Sequence, residues 1–101
     1  MAFTKVGLLS SLPTGEMTEV TVGGKPYAIC HVDGEVHALE GACPHKAGPL
    51  GHGALHGHMV VCPWHSWEFD CRTGENDRSP DVKVASVPVK IEGGEILIDV
   101  P

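Results

Sequence analysis

Residues 19–39 read EVTVGGKPYAICHVDGEVHAL, three β-prone runs separated by Gly23-Gly24 and Asp33-Gly34. A two-residue Gly-Gly or Asp-Gly break between alternating residues is among the strongest local signals for a hairpin, because the twist of the tight turn matches that of the strands it joins. The stretch therefore predicts a β-meander. Residues 82–100, VKVASVPVKIEGGEILIDV, repeat the device around Gly93-Gly94. There Val87, Val89 and Ile91 alternate with Pro88, Lys90 and Glu92, and Ile96, Ile98 and Val100 alternate with Leu97 and Asp99. Such alternation predicts strands with one buried face, and Pro88, which cannot donate to a ladder, belongs at a sheet edge. Nowhere do apolar residues recur at helical spacing for three turns, so the expected class is all-β.

At 101 residues the chain has room for one domain, 1–101, and one site. Hydrophobic residues make up 42% and charged residues 20%, an ordinary globular balance. The formal net charge of −6, with seven scattered Lys and Arg, argues against a nucleic-acid partner. It fits an acidic protein that meets a basic patch on another. The short apolar stretch VGLLSSL, residues 6–12, gives poor support for a signal peptide or a membrane span. A soluble, cytoplasmic protein is expected. In a reducing compartment four cysteines, Cys30, Cys43, Cys62 and Cys71, point to metal ligation before disulfides.

Between the two β-rich ends, residues 41–76 hold six glycines, three prolines and five of the seven histidines. The segment reads as a subdomain inserted around a site. CPHKAGPL, residues 43–50, offers Cys43 and His45; CPWH, residues 62–65, offers Cys62 and His65. A tetrahedral zinc and an iron–sulfur centre compete for that set. Zinc sites usually pair like ligands at two to four or three to five residues. Here each loop mixes a thiolate with an imidazole, which better suits a binuclear centre whose irons differ in ligand type, each loop serving both.

C-x-H, sixteen intervening residues and C-x-x-H resemble the binding signature of Rieske [2Fe-2S] proteins. VDGEVHALEGACPH before the first pair, GPL after it and CPWHSWEFDCRTG around the second extend the resemblance to small Rieske-type ferredoxins over nearly the whole chain. It implies a β-sandwich base of stacked antiparallel sheets with a small cluster-binding subdomain. It also implies one [2Fe-2S] cluster, with Cys43 and Cys62 on one iron and His45 and His65 on the other. Rieske subunits of respiratory bc-type complexes carry a disulfide between their loops, and Ser and Tyr hydroxyls near the cluster. The matching positions here are Gly48 and Trp64, and Trp67 and Phe69. With fewer donors to the sulfurs the added electron is less stabilised, so the resemblance is to the soluble, lower-potential branch. That branch implies a monomeric electron carrier, not an enzyme, between a flavin-containing reductase and a terminal Rieske non-haem iron oxygenase of a dioxygenase system. The small subunit of an assimilatory nitrite reductase, bound to its large subunit, is the alternative, and a zinc-binding interaction module is a third reading.

Other residues have plainer expectations. Cys30 and Cys71 lie in strand-like runs, as small buried hydrophobes do. His52, His56 and His58 belong to a solvated connection, and His31 and His37 to exposed strand positions. Leu50 and Trp67 are expected to shield the cluster, Pro44 and Trp64 to form a docking tip, and Arg78, Ser79 and Pro80 a third covering loop. Glu16, Glu19, Glu35 and Glu40 are expected on a solvated face.

Overall fold

The computed structural model describes residues 2–42, 49–64, 67–76, 78 and 82–100. Their strands are β1 (Ala2–Leu8), β2 (Glu16–Val22), β3 (Lys25–Val32), β4 (Glu35–Glu40), β5 (Ala54–His56), β6 (Met59–Val61), β7 (Glu68–Asp70), β8 (Ser86–Val87), β9 (Val89–Glu92) and β10 (Glu95–Val100). Short 3-10 turns at Leu9–Ser11 and Leu50–His52 complete the elements, and no α-helix occurs among the described residues. All strand pairs are antiparallel, in sheets ordered β1-β10-β9, β2-β3-β4-β8 and β5-β6-β7.

The meander and the final hairpin stand where their turn residues put them. Val22 pairs with Lys25, Val32 with Glu35 and Glu92 with Glu95, so each connection is a two-residue turn. Both central residues of each turn have positive φ: 60° and 81° at Gly23-Gly24, 51° and 79° at Asp33-Gly34, and 60° and 78° at Gly93-Gly94. That is the mirror-image turn that two-residue hairpins require.

β3 is buried on both faces. Tyr27 and Ile29 enter a core with Ile96, Ile98 and Val100 of β10, while Ala28, Cys30 and Val32 enter a second core with Leu50, Val60, Cys62, Phe69 and Cys71. The four-stranded sheet is thus covered on both sides, by β1-β10-β9 on one and β5-β6-β7 on the other. A strand buried on both faces has little room for polar residues, which accounts for the run YAIC at its centre.

β1 pairs with β10 from Ala2↔Val100 to Leu8↔Glu95, with an irregularity between Lys5 and Gly7. Pro88 separates β8, which closes one edge of the four-stranded sheet, from β9, an edge of the three-stranded sheet. The missing N–H therefore falls where the chain changes sheets, and the Pro88 carbonyl accepts from Asp99 N at 3.0 Å. Ile91 is 44% exposed, against the inward position its alternation suggests, because this edge strand has no layer beyond it.

Candidate cluster site

One Cys-His segment follows β4 and the other joins β6 to β7, and described residues on either side of each are paired. Ala42 and Pro49 form an isolated bridge, and Leu50 N donates to Gly41 O at 2.9 Å. Gly41 N donates to Pro26 O at 2.9 Å, and a Cβ at Gly41 would lie 2.9 Å from that carbonyl, which fixes the first loop against β3. In the second loop Cys62 N donates to Trp67 O at 2.7 Å, closing residues 63–66.

Gly53 follows the first loop, and a Cβ built on it would sit 1.8 Å from Val61 O and 3.1 Å from Pro63 Cδ, both at the entrance of the second loop. Only hydrogen fits there, so glycine at 53 lets the chain entering β5 approach Val61 and Pro63. Leu50, fully buried, packs in the same core as Cys62, with Trp67 against its margin.

Cys62 is 1% exposed, whereas Pro63 is exposed and Trp64 is 49% exposed. A single turn thus passes from a buried sulfur to an apolar tip in solvent. Cys43, His45 and His65 lie outside the described residues, as do Pro44, Ser79 and Pro80. No group of three or more metal-ligating side chains occurs among the described residues.

The donor set nevertheless suits the [2Fe-2S] cluster implied above. Cys62 is a buried thiol in an apolar wall, of the kind that keeps water from a soft-ligand site. Trp64 and Gly48 stand at the positions of the inter-loop disulfide, so none can form there.

Several residues around the site differ from expectation. His31 is half-buried: its Nδ1–H donates to Leu12 O at 2.6 Å, and Thr14 Oγ1 lies 3.4 Å from Nε2. His37 is also largely covered, with Nε2 buried and lacking a hydrogen-bond partner, 3.6 Å from Glu35 Oε1. In the connection carrying His52, His56 and His58, His52 ends the 3-10 turn Leu50–His52, and His56 and His58 belong to the β5–β6 hairpin. His52 and His56 are exposed; His52 Nε2 lies 3.1 Å from Glu19 Oε1, and His58 Nε2 lies 3.5 Å from Asp33 Oδ2. Glu16, Glu35 and Glu40 are exposed, but Glu19 is half-buried against His52. Arg78 is exposed and its N–H donates to Asn76 Oδ1 at 3.0 Å.

Asn76 is a positioning residue that the sequence reading missed. It is 7% exposed, its Nδ2 donates to Glu68 O at 3.1 Å and its N–H to Val82 O at 2.9 Å. It thereby joins β7 to the segment at Val82 that leads towards β8. The available signal was a lone Asn after Gly74, a position that favours local turn bonding. Next to it, Asp70 accepts from Arg72 Nε at 3.0 Å and from Nη2 at 2.8 Å. That fork holds the Asp70 carboxyl below the usual range.

The fold and site have known counterparts. The family model for the Rieske [2Fe-2S] domain matches residues 2–89. The ferredoxin component of the naphthalene 1,2-dioxygenase system of Pseudomonas aeruginosa is 38% identical over 92 residues, covering 90% of this chain and 88% of that one. The ferredoxin of carbazole 1,9a-dioxygenase from Nocardioides aromaticivorans IC177 superposes with a TM-score of 0.90 at 27% identity over the whole of both chains. A complex of reduced oxygenase and oxidized ferredoxin in carbazole 1,9a-dioxygenase matches with a TM-score of 0.87 at 31% identity, covering 95% of this chain and 91% of that one. The chain belongs to the Rieske [2Fe-2S] domain family, as a ferredoxin-type electron carrier with one [2Fe-2S] cluster.

Proposed function

We propose that this protein carries single electrons from a flavin-containing reductase to the terminal oxygenase of a multicomponent dioxygenase system. When bound, the cluster supplies one-electron redox chemistry. The chain supplies its ligands, Cys43 and Cys62 to one iron and His45 and His65 to the other. Residues 41–76 are the cluster-binding subdomain of a single domain, 1–101.

The observation that carries this reading is the step from the buried Cys62 sulfur to exposed Trp64 across one turn. A carrier must keep water from its redox centre yet present a short covalent path to a partner. Pro63 and Trp64 supply a rigid apolar tip for that contact. The acidic balance of −6 favours partners with a basic face, through steering that weakens with salt. Transient exchange with two partners suits a free monomer in the cytoplasm.

No helix among the described residues is long and apolar enough to cross a membrane. Reconstitution tests the proposal: the cluster-loaded protein is added to the reductase and oxygenase of a naphthalene dioxygenase system lacking its own ferredoxin. Restored turnover, saturating with carrier, is expected. Tight copurification with a nitrite reductase large subunit, with no electron transfer to any dioxygenase, would overturn it.

A further inference from the structure

Two cysteines outside the ligand set, distant in sequence, meet in the core. Cys30 comes from the middle of β3, 0% exposed, and Cys71 from the turn after β7, 1% exposed; both belong to one buried cluster, and each thiol is the largest influence on the other's acidity. Both are reduced. Their backbones belong to different layers. Cys30 pairs with His37 across the β3–β4 ladder, and Cys71 N donates to His58 O at 2.7 Å in the third sheet.

Cys71 borders a cleft of about 340 Å³, which is also lined by Arg72, Val36, His37 and Pro88, with Cys30 not among its lining residues. His37 Nε2, buried and without a hydrogen-bond partner, belongs to the same wall.

We propose that Cys30 and Cys71 form a reversible dithiol–disulfide site, oxidised by a small hydroperoxide entering this cleft, that locks the β5-β6-β7 layer to the main sheet. In the first step the Cys71 sulfur attacks the peroxide. An S–O bond forms and the O–O bond breaks, and the leaving oxygen takes up a proton as water or alcohol. In the second step the Cys30 sulfur attacks the resulting sulfenic acid; the S–S bond forms, the S–O bond breaks, and water leaves with the Cys30 proton. Two thiols are oxidised by two electrons while one hydroperoxide is reduced.

The two thiols are unequal in the direction this order needs. The Cys30 thiol holds the Cys71 thiol below its ordinary range, and the Cys71 thiol together with burial raises Cys30. The thiol on the cleft is the readier nucleophile, and the one behind it resolves.

The test treats the cluster-loaded protein with a few equivalents of hydrogen peroxide while visible absorbance follows the cluster. Cysteines are then alkylated under denaturing conditions and mapped by mass. Expected are a Cys30–Cys71 linked peptide, a loss of two hydrogens, unchanged cluster absorbance and a higher melting temperature, all reversed by a phosphine. In Cys30→Ser the Cys71 sulfur should instead accumulate as sulfinic acid; should that variant fold poorly, Cys71→Ser should leave Cys30 unoxidised at the same dose. Both thiols alkylated as in untreated protein, or a linked peptide arising only after the cluster has bleached, would overturn the proposal.

Discussion

A Cβ on Gly53 would overlap the Val61 carbonyl, so the segment entering β5 lies against the end of β6 only because residue 53 has no side chain. Gly53→Ala must push these two segments apart. The expected cost is about 3 kcal/mol of stability, as for severe overpacking, with a matching loss of cluster content. Thermal melts together with iron and sulfide assays measure it. Wild-type iron loading at an unchanged melting temperature would mean that this close approach supports neither the fold nor the site.

The four cysteines should divide into two pairs. Cys43→Ala and Cys62→Ala should lose the cluster, whereas Cys30→Ala and Cys71→Ala should keep it and cost on the order of 1 kcal/mol each for the small volume removed. Iron content per chain, read against far-ultraviolet dichroism as a check on folding, separates the pairs. Full iron in Cys62→Ala would contradict the ligand assignment.

Trp64 is half in solvent, so its truncation should leave stability within about 0.5 kcal/mol of the parent. Electron transfer to the oxygenase should slow by roughly tenfold, the loss of about 1.4 kcal/mol of docking contact. Stopped-flow rates with the potential measured in parallel decide between docking and tuning. A large change in potential at an unaltered transfer rate would move Trp64 from the docking surface to the cluster's insulation.

Asp70 offers a pH test. Because the Arg72 fork lowers its folded pKa below the unfolded value, the carboxylate stabilises the fold above the unfolded pKa. That contribution is lost as pH falls through the depressed folded value. Asp70→Asn should therefore be less stable than the parent by about 1 kcal/mol at neutral pH, and the two should converge in strong acid. Urea titrations of both proteins across the acid range check the sign. A gap that persists in strong acid would assign the loss to the Asn side chain and not to the charge.

What was legible in the sequence was local. Gly23-Gly24, Asp33-Gly34 and Gly93-Gly94 each encode a turn within a few residues, and the strands beside them follow from those turns. β1 was not legible, because its partner β10 lies at the other end of the chain and no turn joins them. β5 and β6 escaped notice because three-residue strands flanking Gly57 carry too few apolar positions to show a period. His31 and His37 looked like outward strand residues, since alternation says nothing about the Leu12 carbonyl or the neighbouring layer that covers them. The ligand motif was visible through its spacing, and the means of holding it, Gly41, Gly53 and Asn76, only through tertiary contacts.

The central claim is that one iron is held by His45 and His65 while Cys43 and Cys62 hold the other. Nitrogen hyperfine spectroscopy of the dithionite-reduced protein, by pulsed electron paramagnetic resonance, tests it most directly. Two strongly coupled nitrogens are predicted in the parent, with the signal altered or lost in His45→Cys and in His65→Cys. A reduced centre with no strongly coupled nitrogen would show ligation by thiolates alone and contradict the account.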